Sequence, residues 1–298
     1  MSQSREINAK LVKNSLTLRS SNVSDAIIAI KTMNPVYQGK YFLSAGDANA
    51  EGRLSLTMLT TKIIDVATEH ANALGIGNPM MAHLNAGWIL SRLTLEMKNY
   101  PVVNNQYVLK TWIEDFNRHF STRCFSIESP EGEIYGYART VWLVMDAVNH
   151  TNYGTSHLSL PPEAIVGEGV PISKQEKHVS ILPADFEGDI NTRQIIATHK
   201  PYHYTFKFCD IDFYRHVNTV RYIALLLNQF TLSEHDETLI ERMELSFLHE
   251  ASYGMHTTLL RADSKDTEME SSFQLSDDAD NKALLFARIK RRFNTPER

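Results

Sequence analysis

The sequence predicts an α+β fold laid down twice on one plan, and three observations predict it. Apolar residues recur at helical spacing once in each half of the chain. Each such stretch is followed by segments that alternate apolar and polar residues, and the two halves keep this order. With 298 residues, 43% hydrophobic and 22% charged, the chain has enough apolar material for one large core or two smaller ones.

The N-terminal stretch comes first. Met1 to Met33 mixes Ser, Asn and Lys around one short apolar run, Ala26 to Ile30, and sustains no period, so residues 1–35 read as a weakly ordered N-terminal extension. Its serines and basic residues suggest a transit peptide, but Glu6 and Asp25 interrupt it and no amphipathic arginine pattern is present; a flexible tail is the simpler reading. From Leu54 to Leu74 the positions Leu56, Leu59, Ile63, Val66 and Leu74, with Ala67 and Ala71 between, have the spacing of a helix buried along one side. Past Gly75, Gly77 and Pro79 the pattern becomes that of strands, Trp88 to Met97 and then Gln106 to Ile113. Arg123 to Glu128 and Ile134 to Met145 form a hairpin across Ser129-Pro130-Glu131-Gly132, where Pro presets one dihedral and Gly closes the turn. Residues 150–199 hold Pro161, Pro162, Pro171 and Pro183 with little periodicity and read as a linker. The plan then restarts. Tyr204 to Phe208 is strand-like, and Val217, Val220, Ile223, Leu226 and Phe230 mark a second helix. Strands come next at Arg242 to Leu248, Met255 to Arg261, Glu270 to Leu275 and Ala283 to Phe293.

Residues repeat as well as elements. Asp47 to Glu51 precedes the first helix as Asp212 to His216 precedes the second, and Tyr137-Ala138-Arg139 is echoed by Phe286-Ala287-Arg288. A sheet curled around one long helix satisfies both patterns, which is the plan of a hotdog domain. The expected architecture is therefore a double hotdog, two antiparallel sheets each wrapped around a long central helix. The N-terminal hotdog spans 36–149, the linker 150–199 and the C-terminal hotdog 200–298.

Several chemistries are excluded on composition and spacing. Two cysteines, Cys124 and Cys209, are too few for a disulfide framework and form no CxxC pair. The net charge of -5 argues against broad nucleic-acid binding. No apolar run is long enough to span a membrane, and a cytoplasmic setting is expected. His249-Glu250 begins a zinc-protease HExxH, but Tyr253 stands where the second histidine is required. There is no GxSxG elbow and no phosphate-cradling glycine loop. No metal and no cofactor are implied.

Four stretches in order carry a resemblance: Trp88-Ile89-Leu90-Ser91-Arg92-Leu93, Thr111-Trp112, Tyr137-Ala138-Arg139-Thr140-Val141-Trp142, and Asp210 to Tyr222 with its Asp212-Phe213-Tyr214-Arg215-His216-Val217-Asn218 core. From about residue 36 onward the chain resembles the acyl-acyl carrier protein thioesterases. The resemblance implies a tandem hotdog that hydrolyses a fatty acyl thioester on acyl carrier protein, releasing free fatty acid. The alternatives are a catalytically silent acyl-binding protein and an acyl-coenzyme A thioesterase. The family pattern Asp-x-Asn-x-His is met by Asp212 and His216, with Tyr214 in place of the Asn, and the family Glu falls on Glu250 as general base or direct nucleophile. Some relatives carry a Cys directly after that Glu; here it is Ala251, which excludes a thiol nucleophile at that position.

Thioester hydrolysis needs an activated nucleophile, donors for the developing oxyanion and a proton for the leaving thiol. Asp212 and His216, four apart, suit a carboxylate steadying an imidazole. Val217 and Asn218, at the start of the second helix, would offer N–H groups to the oxyanion. Each residue has a structural alternative: Asp212 as a helix cap, His216 as a hydrogen-bonded histidine and Glu250 as a solvated strand end. The resemblance places the acyl pocket in the first half, with Met58, Leu59, Ile63, Trp88 and Trp112 as candidate lining. Acyl carrier protein is acidic, so Arg288, Lys290, Arg291 and Arg292 are the first candidates for docking, with Lys110, Arg118 and Arg123 second. Both a monomer and a homodimer are compatible with two fused hotdogs.

Overall fold

The structure is a computed structural model that describes residues 34–175, 188–189, 194–195, 198–264 and 269–294. The extension expected over residues 1–35 lies, but for Asn34 and Pro35, outside the described residues. The elements are β1 (Val36–Phe42), α1 (Leu56–Ala73), α2 (Asn78–Leu84), β2 (Ala86–Met97), β3 (Gln106–Phe116), β4 (Ser121–Glu128) and β5 (Ile134–Asp146). Then come β6 (Gly188–Asp189), β7 (Gln194–Ile195), β8 (Tyr202–Thr205), α3 (Thr219–Leu227), α4 (Leu232–Glu237), β9 (Thr238–Phe247), β10 (His256–Asp263), β11 (Glu270–Asp277) and β12 (Ala283–Phe293).

Ten strands make one antiparallel sheet in the order β1-β3-β4-β5-β2-β9-β12-β11-β10-β8, and β6 and β7 pair separately. Each half repeats the other's strand order outward from the β2–β9 joint. This corrects the expectation of two sheets: the halves are one sheet. Left apart, β2 and β9 would each be an edge with unpaired N–H and C=O groups. Paired antiparallel, Arg92 to Glu96 against Arg242 to Ser246, they meet about Thr94 opposite Glu244. One ion pair crosses the joint, Arg242 to Glu96 at 2.6 Å, and beside it Arg242 and Arg288 of the next strand pair with the buried Glu244 at 2.6 and 2.8 Å.

Helix α1 is N-capped by Ser55, whose side chain accepts from the Met58 N–H. It buries Leu56, Leu59, Thr60, Ile63, Val66, Ala67, His70 and Ala71, a single face at helical spacing. The helix stops at Leu74, where Gly75 turns the chain with φ +76. The two long helices touch, and one core joins Leu59 and Ile63 of α1 and Ile223 and Leu226 of α3 to Leu93, Leu95, Phe125, Met243, Leu245 and Phe273 of the strands. Each such side chain stabilises by about 1.5–3 kcal/mol when fully buried.

Three differences from the sequence reading have local causes. Helix α3 is shorter than the periodicity from Val217 to Phe230 predicts, since Asn218 caps it and the chain turns at Asn228 before Thr231 and Glu234 form the capping box of α4. Helix α2 forms beyond the Gly and Pro read as breakers, because Pro79 fits a first helical turn. The segment after β5, expected to be a plain linker, packs onto the sheet. Val170 and Ile172 cover Cys124 with Trp112 and Tyr137, and Gln175 bonds Ser246 (2.8 Å) and Thr94 (3.2 Å) across the joint.

Candidate active site

The second helix is entered through a tight loop. Asp210 is buried and accepts from the Tyr204 hydroxyl (3.0 Å) and the Lys207 N–H (2.8 Å). The Asp212 N–H donates to the His216 carbonyl at 2.8 Å, and the Arg215 N–H donates to the Asp212 carbonyl at 3.1 Å, with Arg215 at φ +72. The Asp212 carboxylate accepts from the N–H groups of Tyr214 (2.9 Å) and His216 (3.2 Å). Asp212 therefore shapes the loop through backbone, where the sequence reading had it hold the imidazole. Both hydrogen bonds fall on Oδ1 and close residues 212 to 216 locally, an Asx turn.

The loop is clipped to the segment beyond β9: the Val217 N–H donates to the Ala251 carbonyl (2.8 Å) and His216 bridges Ser252. This brings the His216 imidazole Nε2 to 3.3 Å from Glu250 Oε2. Both side chains are about one-third exposed. A residue from the first half also arrives there: His150 Nδ1 lies 3.4 Å from the same oxygen, and the two imidazole rings stand edge to face at 6.2 Å. His150 lies in the stretch read as linker, and no motif or periodicity points to it. Behind the site, Tyr222 packs edge-on against Phe206 and Phe247. Burial pushes its phenol upward; a backbone hydrogen bond at Ala251 opposes this, and Glu250 and Asp212 add to it.

Tyr214 stands at the loop tip, half exposed, its ring tilted against the exposed Phe213 at 3.8 Å. Partial burial first, and then Asp212, hold its hydroxyl above the usual tyrosine range. The two N–H groups expected to face the oxyanion are taken: Val217 gives its proton to Ala251 and Asn218 gives its own to Asp210 (2.8 Å). The capping hydrogen bonds that hold the loop consume the donors.

The remaining predicted residues divide. Leu59 and Ile63 lie in the core, with Met58 packed against it, and Trp88 donates to the Ile76 carbonyl. Trp112 is on the other face of β3, against Val170 and Ile172, so it does not share a pocket wall with Leu59; strand alternation separates it from its neighbours Thr111 and Ile113. Of the basic cluster, Arg291 is buried, stacked on Phe230 (4.4 Å) and paired with Glu234 (3.1 Å), which removes it as a docking residue. Arg288 is bound to Glu244, Arg292 donates to the Lys98 carbonyl and Lys290 is paired with Glu241 at 2.9 Å. In the second cluster Arg123 is buried against His70, and burial lowers its guanidinium to about 10.

The first half carries the same loop with other side chains. The Asn49 N–H donates to the Arg53 carbonyl (2.8 Å), Leu54 donates to Pro101 (2.9 Å), Ser55 donates to Asp47 (3.1 Å) and Arg53 bridges Val102. These bonds match those of Asp212, Val217, Asn218 and His216. The repeat thus pairs Asn49 with Asp212, Arg53 with His216 and Tyr100 with Glu250, two residues away from the pairing suggested by the run Asp47 to Glu51. The Tyr100 hydroxyl donates to the Ile240 carbonyl at 2.7 Å. With Arg53 in the place of the His216 imidazole and Tyr100 in the place of the Glu250 carboxylate, this copy lacks the pair that marks the second.

Comparison with known proteins bears on the whole chain. Residues 34–152 match the family model for the acyl-ACP thioesterase N-terminal domain, and residues 194–293 match the one for the C-terminal domain. The chain belongs to the acyl-ACP thioesterase family. Among curated members it is 25% identical over 220 residues to a chloroplastic palmitoyl-acyl carrier protein thioesterase of Gossypium hirsutum, covering 72% of this chain and 50% of that one. It is 20% identical over 226 residues to a chloroplastic oleoyl-acyl carrier protein thioesterase of Arabidopsis thaliana, covering 72% and 60%. The chain thus spans about half the length of the curated thioesterases it matches. Among solved structures, an acyl-ACP thioesterase from Bacteroides thetaiotaomicron shares the fold at a TM-score of 0.74 and 23% identity, covering 87% of this chain and 98% of that one. The 12:0-ACP thioesterase from Umbellularia californica does so at 0.71 and 16%, covering 89% and 96%.

Proposed function

We propose that this protein hydrolyses fatty acyl thioesters carried on acyl carrier protein, releasing the free acid. The observation that carries this reading is the Glu250 carboxylate set 3.3 Å from the His216 imidazole by a loop that Asp212 folds. Both imidazole contacts fall on Oε2. Oε1 is left to take a proton from water. As the hydroxide oxygen bonds to the thioester carbon and the C–S bond breaks, the departing sulfur takes a proton from His216, and Glu250 returns the water's proton to the ring. Tyr214, a neutral donor at the loop tip, stands where the family has an amide and is suited to the substrate carbonyl.

The hotdog reading, with each half-sheet curled on its own helix, has support in the strand order that both halves keep. We assign the acyl chain to the first half, residues 36–149, near Met58, Leu59, Ile63 and Trp88, and the chemistry to residues 200–298. An acidic carrier would meet Lys290 and Arg292, the members of the predicted cluster not closed off by burial or by Glu244.

The test is to present the purified protein with a ladder of acyl-acyl carrier protein thioesters and measure free acid and free thiol. Wild type releases both, and Glu250→Gln loses about 10²–10⁴-fold in kcat, the range of a lost general base. Tight acyl binding without release, or full turnover by Glu250→Gln, would overturn the assignment.

A further inference from the structure

Glu250 sits in a segment that leaves the sheet after β9, and β9 pairs antiparallel with β2. β2 also pairs antiparallel with β5 on its other side. Flanking one antiparallel neighbour, β5 and β9 run the same way and leave the sheet at the same end. The segment after β5 is therefore delivered beside the segment after β9. The Asp146 carboxylate folds the turn there, accepting from the N–H groups of Val148 and Asn149, each at 2.8 Å. The His150 N–H donates to the Asp146 carbonyl at 3.1 Å, and His150 is held at φ +50. That left-handed conformation is uncommon outside Gly, and His, like Asn and Asp, is among the residues that adopt it most readily. It coincides here with a side chain aimed across the joint at Glu250.

We propose that His150 is a positioning residue of the active site, fixing the Glu250 carboxylate against His216 so that one site is completed by both halves of the chain. The proposal rests on the hydrolytic reading for its kinetic consequence and on geometry alone for the contact. Two imidazoles approaching Oε2 from different halves define the plane of the carboxylate, so Oε1 keeps one direction. A single partner would leave the group free to rotate. The charged groups that face His150 are Glu250, His216 across the shared oxygen, and Asp146 in its own turn, whose carboxyl is lowered first by the Asn149 and Val148 N–H groups and least by His150.

The positive φ provides the controls. Asn tolerates that backbone and places an amide N–H near the position of Nδ1, whereas Gly tolerates it and offers no donor. His150→Gly is expected to lower kcat roughly threefold to fivefold with KM unchanged, the loss of one imidazole–carboxylate contact at a largely exposed side chain, and His150→Asn to restore most of it. In a Glu250→Gln background His150→Gly should cost nothing further. Equal kcat in wild type and His150→Gly, or an undiminished effect in the Glu250→Gln background, overturns the proposal. A second readout needs no turnover: in imidazole NMR spectra, Glu250→Gln should move the ring resonances of both His150 and His216. A His150 ring that stays put refutes the contact. Movement of both rings in a protein that releases no acid refutes only the hydrolytic reading.

Discussion

Asp212 offers the sharpest test of how the site is built, because two roles predict opposite results for one substitution. In the structure its carboxylate accepts the Tyr214 and His216 N–H groups at 2.9 and 3.2 Å. A hydrogen bond to a charged acceptor contributes about 1.5–3 kcal/mol when buried, and about 1 kcal/mol each is appropriate on this half-exposed loop. Asp212→Ala removes both and releases the loop that presents His216, so kcat/KM should fall roughly 30-fold for about 2 kcal/mol. Asp212→Asn keeps a carbonyl oxygen in the same place as a neutral acceptor, at about half the strength, and should cost no more than roughly fivefold. Were the carboxylate steadying the imidazole and its charge, Asn would be nearly as harmful as Ala, in the manner of a triad aspartate. The assay is steady-state acid release by the two variants, with thermal unfolding to confirm that each is folded. An Asn variant as damaged as the Ala variant would refute the loop-folding role.

Glu244→Gln leaves the Arg242 and Arg288 guanidiniums facing a neutral amide at the sheet joint and should destabilise by about 3 kcal/mol, read as a fall in Tm of roughly 6–12 °C; a shift under about 2 °C would show the joint does not depend on that charge. Cys209 is exposed, whereas Cys124 is buried and burial pushes its thiol up to about 11, so a thiol reagent at neutral pH should label Cys209 at once and Cys124 only after unfolding. Asp263 is opposed by its own burial, but hydrogen bonds from Arg261, Ser271 and His199 hold its carboxyl below the usual range. Its contribution is therefore present above about pH 4 and lost as pH falls through the lowered native value, so the stability gap between wild type and Asp263→Asn should close on acidification; a gap constant from pH 7 to pH 3 would refute the assignment.

Much of this arrangement was legible in the residues. Periods of two and of three to four located α1, β2 to β5 and β9 to β12 within a few positions, since each buries one face against a single core. The pair His216 and Glu250 was legible through the resemblance to the thioesterase family, and the structure brings them together. The features that escaped depend on partners distant in sequence. Whether β2 and β9 join cannot be read from either strand alone, because the alternation that buries Leu93 and Leu245 is the same at an edge or in mid-sheet. Arg291 reads as a surface cation by its type, although period two puts it on the face of Ala287 and Ile289, where Phe230 and Glu234 receive it. Trp112 reads as core until Val170 and Ile172 reveal that the opposite face is covered too. His150 has no local signal, since its partner is a hundred residues away.

The register of the joint is what makes these facts one system. A slip of a single residue between β2 and β9 would set the apolar faces of the two strands on opposite sides, parting Leu245 from Leu93, and carry Arg242 away from Glu96, so burial and charge oppose it together. The same register sets how far the exit of β9 lies from the exit of β5, and hence whether Glu250 meets His150. In the first half the equivalent positions hold Arg53 and Tyr100, and the Tyr100 phenol reaches across the joint to bond the backbone of β9 at Ile240. One copy of the loop thus braces the joint, and the other, released from that duty, carries the imidazole and the carboxylate. Duplication lets a single sheet do both, because the strand that the first copy secures is the one whose end bears Glu250.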